Sequence, residues 1–173
     1  DKNRYILVVG AVQIGKTWAI GVKALHHALF VPNATVIIGS ASDNQATMIL
    51  DEIKGMMNRS GISYESLMDS VNNRTEIHLK NSDGKGLSII KAFCATDKVM
   101  GFAGTLVLID ELGTWENDSL YESAFITRTE ATKGWVNEYL TMGQVVVISN
   151  PNGQRGALWK IWNEGDEYHK YRY

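Results

Sequence analysis

The sequence predicts an α/β fold: a mainly parallel central sheet with helices on both faces. Two observations carry this. Short, uniformly apolar runs rich in β-branched residues ("YILVV", "TVIIG", "LVLI", "VVVIS") suit strands covered on both sides rather than half-exposed ones. Helical patterns separate most of these runs, as parallel pairing requires.

"RYILVVG" is the first strand. From Lys16 the pattern turns helical, with Trp18, Ile20, Val22, Leu25 and Leu29 forming an apolar stripe until "VPN" stops it. "ATVIIGS" is the second strand. "SDNQATMILDEIKGMMNRSG" follows as a helix capped by Ser42 or Asp43 and left through Gly61. Two β-like runs around "NSDGKG" then read as an antiparallel hairpin, an insertion into the alternating pattern. "TLVLIDEL" resumes it as a strand ending in acids, and "LYESAFITR" is helical. "QVVVISNPNG" is a strand running into a turn, "GALWKIWNEG" a short helix, and the alternating aromatic and basic residues of "EYHKYRY" a last strand.

At 173 residues the chain is one domain's worth of core, so residues 1–173 are read as a single domain. With 45% hydrophobic and 21% charged residues it has an ordinary globular composition, and no apolar run is long enough to suggest a membrane span. The net charge of −2 excludes a domain that attracts polyanions over its whole surface. The lone Cys94, in an apolar run without an activating neighbour, reads as a small buried hydrophobe and suits an intracellular setting. A start without Met and a strand at the very end suggest a domain excised from a longer protein.

The octet "GAVQIGKT" (Gly10, Ala11, Val12, Gln13, Ile14, Gly15, Lys16 and Thr17) lies between a strand and a helix. Its glycines let backbone N–H groups turn inward, and the helix directs its positive end to the same place. Lys16 supplies a charge for the β- and γ-phosphates, and Thr17 a hydroxyl for Mg²⁺. This is a phosphate-binding P-loop. At the end of "LVLIDE", Asp110 and Glu111 would face the loop across the carboxyl edge of the sheet. Asp110 is the expected Mg²⁺ partner, directly or through water, and Glu111 is placed to polarise an attacking water, which favours ATP hydrolysis. Ser149 and Asn150 end a third strand; on residues alone they either reach the γ-phosphate or simply form an Asn-Pro-Asn-Gly turn.

Four stretches, taken in order, resemble the ATPase domain of a terminase large subunit, the motor that packages DNA into the heads of tailed bacteriophages. They are "GAVQIGKT", "SASDNQA", "LVLIDEL" as Walker B, and "ISNPNGQRGALWKIW" as the coupling motif. The resemblance implies a P-loop NTPase of the ASCE (RecA-like) type, with the coupling strand between the P-loop and Walker B strands. It implies that Glu111 is the catalytic glutamate and that Asn150 links loss of the γ-phosphate to movement. Arg4 and Tyr5 are then either adenine contacts or residues that merely lead into the strand. The implied activity is Mg²⁺-dependent ATP hydrolysis driving double-stranded DNA into a procapsid in the host cytoplasm. The implied partners are a homo-oligomeric ring on a portal and a small terminase subunit, with no membrane. A nuclease domain would follow near Tyr173.

The chain departs from the family at Val12 and at Met100-Gly101, where arginines are common. Lys98, Arg128 and Arg155 are substitutes by position or charge, although a surface role is the simpler reading of each. Two alternatives stay open: a helicase-like motor on single strands, and a nucleotide-gated assembly module with incidental turnover, which the absent arginines keep alive. Trp115, Trp135, Trp159 and Trp162 read as packing residues rather than platforms for bases. His26 and His27 have no partners at ligand spacing and carry no zinc site.

Overall fold

The computed structural model describes residues 3–61, 68–81, 84–130 and 143–173, with backbone only for 68–72. Trp135 and the Ser82-Asp83 tip of the hairpin turn lie outside these.

The strands are β1 (Tyr5–Val9), β2 (Thr35–Ser40), β3 (Met68–Asn72), β4 (Glu76–Lys80), β5 (Leu87–Cys94), β6 (Leu106–Asp110), β7 (Gln144–Ser149) and β8 (Tyr168–Arg172). They form one sheet in the order β3-β4-β5-β2-β6-β7-β1-β8. From β5 to β8 every pairing is parallel. The β4–β5 pair is the anticipated antiparallel hairpin, and β3 extends it at the edge. Met68–Asn72 carries no strand signal: Asp, Ser and Asn are poor strand formers, and pairing with β4 rather than propensity sets its conformation.

Alternation along the buried strands divides the core in two. Val36, Ile38, Leu106, Leu108, Val146 and Ile148 point to the face covered by α1 (Lys16–Phe30) and α2 (Asp43–Arg59). Ile37, Val107, Ile109, Val145 and Val147 point the other way. There they meet Phe125 in a π-helical turn (Tyr121–Ile126) that runs into the short α3 (Thr127–Glu130), and Leu158 and Ile161 of α4 (Gly156–Glu164).

Helix α1 corrects the expected stripe. Its buried residues include Ile20, Gly21, Ala24, His27 and Ala28, whereas Trp18 and Val22 are exposed. Small side chains let the helix approach its neighbours closely: a Cβ at Gly21 would stand 2.9 Å from Met56 Cε of α2. Helix α2 begins as expected, with Ser42 accepting from Gln45 N, and ends at Ser60 just before Gly61. Cys94 is half-buried at the end of β5. No described helix is long and apolar enough to cross a membrane.

Candidate nucleotide site

Every parallel strand delivers its last residue to the same edge, and the chemistry-bearing residues collect there. β1 ends in the octet, with Gly10 N donating to Ser149 O of β7 at 3.1 Å. Gln13 and Gly15 adopt positive φ (63° and 82°), which curls residues 10–15 before the helix begins at Lys16. This leaves the first N–H groups of a 15-residue helix without helical partners and directed at the cradle.

Lys16 is buried, and its Nζ donates to Ala11 O (2.7 Å) and Asn150 Oδ1 (2.5 Å), with Glu111 Oε1 at 3.6 Å. Glu111 itself takes both donors of Asn150: the backbone N–H to Oε2 at 3.0 Å and Nδ2 to Oε1 at 2.9 Å. Its backbone is left-handed, φ 51° and ψ 44°. A non-glycine residue held there stores strain, of the kind that marks functional turns. Ser149 Oγ accepts from Gly113 N at 3.1 Å, tying the turn after β6 to the end of β7. Asn150 thus joins the loop lysine to the second acid across two strands.

Asp110 is 5% exposed, and its Oδ1 is buried with no hydrogen-bond partner. Burial raises its carboxyl to about pKa 7, Glu111 adds to the rise and Lys16 opposes it. A buried carboxylate oxygen without a donor fits a hard divalent cation, an oxygen-seeking partner that removes the desolvation penalty. Thr17, exposed in the first turn of α1, offers an oxygen of the same chemistry.

Of the other residues singled out from sequence, Gly10, Ala11, Val12, Gln13, Ile14 and Gly15 form the cradle as one continuous loop, with Val12 70% exposed. Arg4 and Tyr5 are not brought to it. They sit at the opposite end of β1, about 16 Å of strand away, where Arg4 lies over the Tyr5 ring and Tyr5 packs on Tyr168. Lys98 and Arg155 are exposed in segments that follow β5 and β7, at the carboxyl edge. Arg128 is anchored elsewhere: its guanidinium donates to Met100 O and Thr127 Oγ1, and its carbonyl accepts from Gly104 N at 3.0 Å, just before β6. Trp115 is a packing residue, donating to Asp110 O at 3.1 Å and meeting Phe125 edge-on. Trp159 is exposed and Trp162 half-buried. His27 is buried and bonded to Thr105 Oγ1 at 3.0 Å.

The strand order places β7 between the strand that leads into the cradle and the strand that ends in Asp110, which defines a P-loop NTPase fold of the ASCE type. The terminase large subunit family, T4likevirus-type, N-terminal region, matches residues 7–166, and the chain belongs to that family. Among solved structures, the large terminase ATPase domain of Thermus phage P74-26 is similar, with 15% identity, a TM-score of 0.76, and coverage of 99% of this chain and 76% of that one. The HK97 bacteriophage large terminase has 18% identity and a TM-score of 0.75, with 99% and 35% covered. The large terminase of another, thermophilic bacteriophage, in complex with ATP-gamma-S, has 12% identity and a TM-score of 0.68, with 99% and 39% covered. This chain therefore spans well under half of the last two proteins. Comparison with curated proteins finds no match.

Proposed function

We propose that this domain hydrolyses ATP to drive double-stranded DNA into a viral procapsid, with residues 10–17 holding the phosphates and Glu111 activating the water. The observation that carries the reading is the three-way contact of Lys16, Asn150 and Glu111. It gathers a phosphate-binding cation, a carboxylate base and a polar sensor at the mouth of one loop.

The chain's own groups divide the work as follows. Backbone N–H groups of the loop and the start of α1 bind phosphate oxygens. Lys16 exchanges its contact with Asn150 for the β- and γ-phosphates, and this leaves Asn150 free to follow the γ-phosphate. Glu111 takes a proton from water lined up with the γ-phosphorus, as a general base. Asp110 and Thr17 would hold Mg²⁺, which neutralises charge building up on the phosphate oxygens. Asn150 returns to Lys16 when phosphate leaves, so occupancy of the loop is reported to β7 and to α4 beyond it. Assembly as a ring on a portal, together with a small terminase subunit, would convert these cycles into translocation, and Lys98 or Arg155 would reach a neighbouring subunit from the carboxyl edge. The large terminase of the thermophilic bacteriophage has been crystallised both with ATP-gamma-S and with ADP, which supports the same ligand class here.

ATP turnover measured against protein concentration tests the ring. Slow turnover that rises as subunits associate is expected, whereas rapid turnover independent of dilution contradicts a cationic side chain supplied by a neighbour.

A further inference from the structure

Asp110 Oδ1 has a neighbour in the same condition. Ser40 is 0% exposed, and its Oγ is buried without a hydrogen-bond partner among the described residues. Ser40 ends β2, the strand beside β6, and opens the stretch "SASDNQA". Gly39 pairs with Ile109, so the next step along two parallel strands about 4.8 Å apart sets Ser40 beside Asp110. Alternation turns both side chains to one face. Val36 and Ile38 lead to Ser40 there, and Leu106 and Leu108 to Asp110. Helix α1, whose first turn carries Thr17, covers that face. Ser42 of the same stretch has a structural task as the cap of α2, and the Ser40 carbonyl has one in accepting from Ala95 N at 2.9 Å. The Ser40 hydroxyl has none. Alanine would continue the strand equally well without burying an orphan polar group, which costs stability.

We propose that Ser40 is a further residue of the divalent-cation site: its hydroxyl binds a water of the hydration shell of the cation that Asp110 holds. The inference rests on the cation reading of Asp110 and Thr17. A cation of the magnesium type dehydrates reluctantly and is held by one or two protein oxygens besides phosphate, so several waters stay with it. A water whose lone pair faces a cation has only its hydrogens left to offer, and it needs acceptors. The buried wall of β2 and β6 offers two side by side, Asp110 Oδ1 and Ser40 Oγ. Unlike another carboxylate, the hydroxyl adds no charge to a site that already holds two acids. Ser40 therefore acts on the affinity for the cation and leaves the contacts between loop and phosphate to residues 10–17.

Manganese(II) is the probe, since it shares magnesium's preference for oxygen ligands and is paramagnetic. Electron paramagnetic resonance measures free Mn²⁺ as the purified protein, saturated with ADP, is titrated. Ser40→Ala should weaken Mn²⁺ on the order of tenfold, the effect of losing a group that orients the ligands of a metal, while ADP affinity in excess EDTA stays within about twofold. In EDTA the variant should also resist urea at least as well as wild type, because it buries no orphan hydroxyl. Equal Mn²⁺ affinity in the two proteins, a parallel loss of ADP affinity in EDTA, or a variant less stable than wild type in EDTA would each overturn the role of Ser40. Wild-type protein that binds ADP but no Mn²⁺ would overturn the cation reading of Asp110, and one that binds neither would overturn the nucleotide reading; the inference falls with either.

Discussion

Asn150 holds both carboxylate oxygens of Glu111, one through its backbone N–H at 3.0 Å and the other through Nδ2 at 2.9 Å, while its Oδ1 accepts from Lys16 at 2.5 Å. A single side-chain amide thereby fixes the Glu111 carboxylate and the Lys16 ammonium relative to each other. Its location at the end of β7, between the two strands that carry those groups, is what allows it to do so.

For Asn150→Ala the backbone bond to Glu111 remains and the two side-chain bonds are lost. ATP hydrolysis should fall by about tenfold or less, the worth of one or two hydrogen bonds. DNA packaging should fall much further. Parallel assays of turnover and packaging check this, and equal losses would assign Asn150 a plain catalytic role.

Lys16→Ala removes the cation at the loop and leaves Glu111 with Asn150 alone. Nucleotide affinity should drop on the order of a hundredfold, the range of a charge-assisted bond or two. Fluorescence or calorimetric titration reads the change, and unaltered affinity would remove the loop from the nucleotide site.

Asp110 is buried with an unpartnered oxygen, so the free protein bears a desolvation penalty that a cation would relieve. Its carboxyl titrates near 7 when folded, raised by burial, against an ordinary value near 4. The proton bound when folded stabilises the protein at low pH, and that stability is lost as pH rises towards 7. Asp110→Asn should therefore gain stability relative to wild type between pH 5 and pH 8, on the order of 2 kcal/mol, in urea unfolding without nucleotide or divalent cation. The same substitution should abolish hydrolysis. A variant no more stable at pH 8 than at pH 5, relative to wild type, would contradict the strained acid.

Much of this site is readable before any coordinates. The octet and the acid pair each follow a run whose burial is plain from its composition, and a parallel sheet must bring such ends to one edge, whereas Asn150 reads from its residues equally well as part of a simple turn. The π-helical turn and edge strand β3 are not readable, because packing and pairing impose them against weak local preference. The face of α1 is misread for a related reason. Periodicity weights large apolar residues, yet the helix approaches the sheet and α2 through Gly21, Ala24 and Ala28, leaving Trp18 outside.

His27 is another buried titratable group, and its shift is opposite in sign to that of Asp110. Burial, with Lys23 and His26 adding to it, lowers its pKa from 6.5 to about 4, and it is neutral beside Thr105 in the folded protein. Between about pH 4 and 6.5 the unfolded chain binds a proton that the folded protein refuses, so stability rises with pH through that window. On going from pH 7 to pH 4.5, wild type should lose on the order of 2 kcal/mol more than His27→Gln in urea unfolding. Identical losses would show that His27 does not titrate between the states.

If Glu111 is the base, in a site whose phosphate contacts lie elsewhere, removing its charge should separate binding from hydrolysis. Glu111→Gln, assayed for ATP affinity and for turnover on the same preparation, tests it most directly. Binding should stay within a few-fold of wild type, with hydrolysis reduced by a factor on the order of a hundred or more. Turnover at the wild-type rate would contradict it and assign activation of the water to another residue.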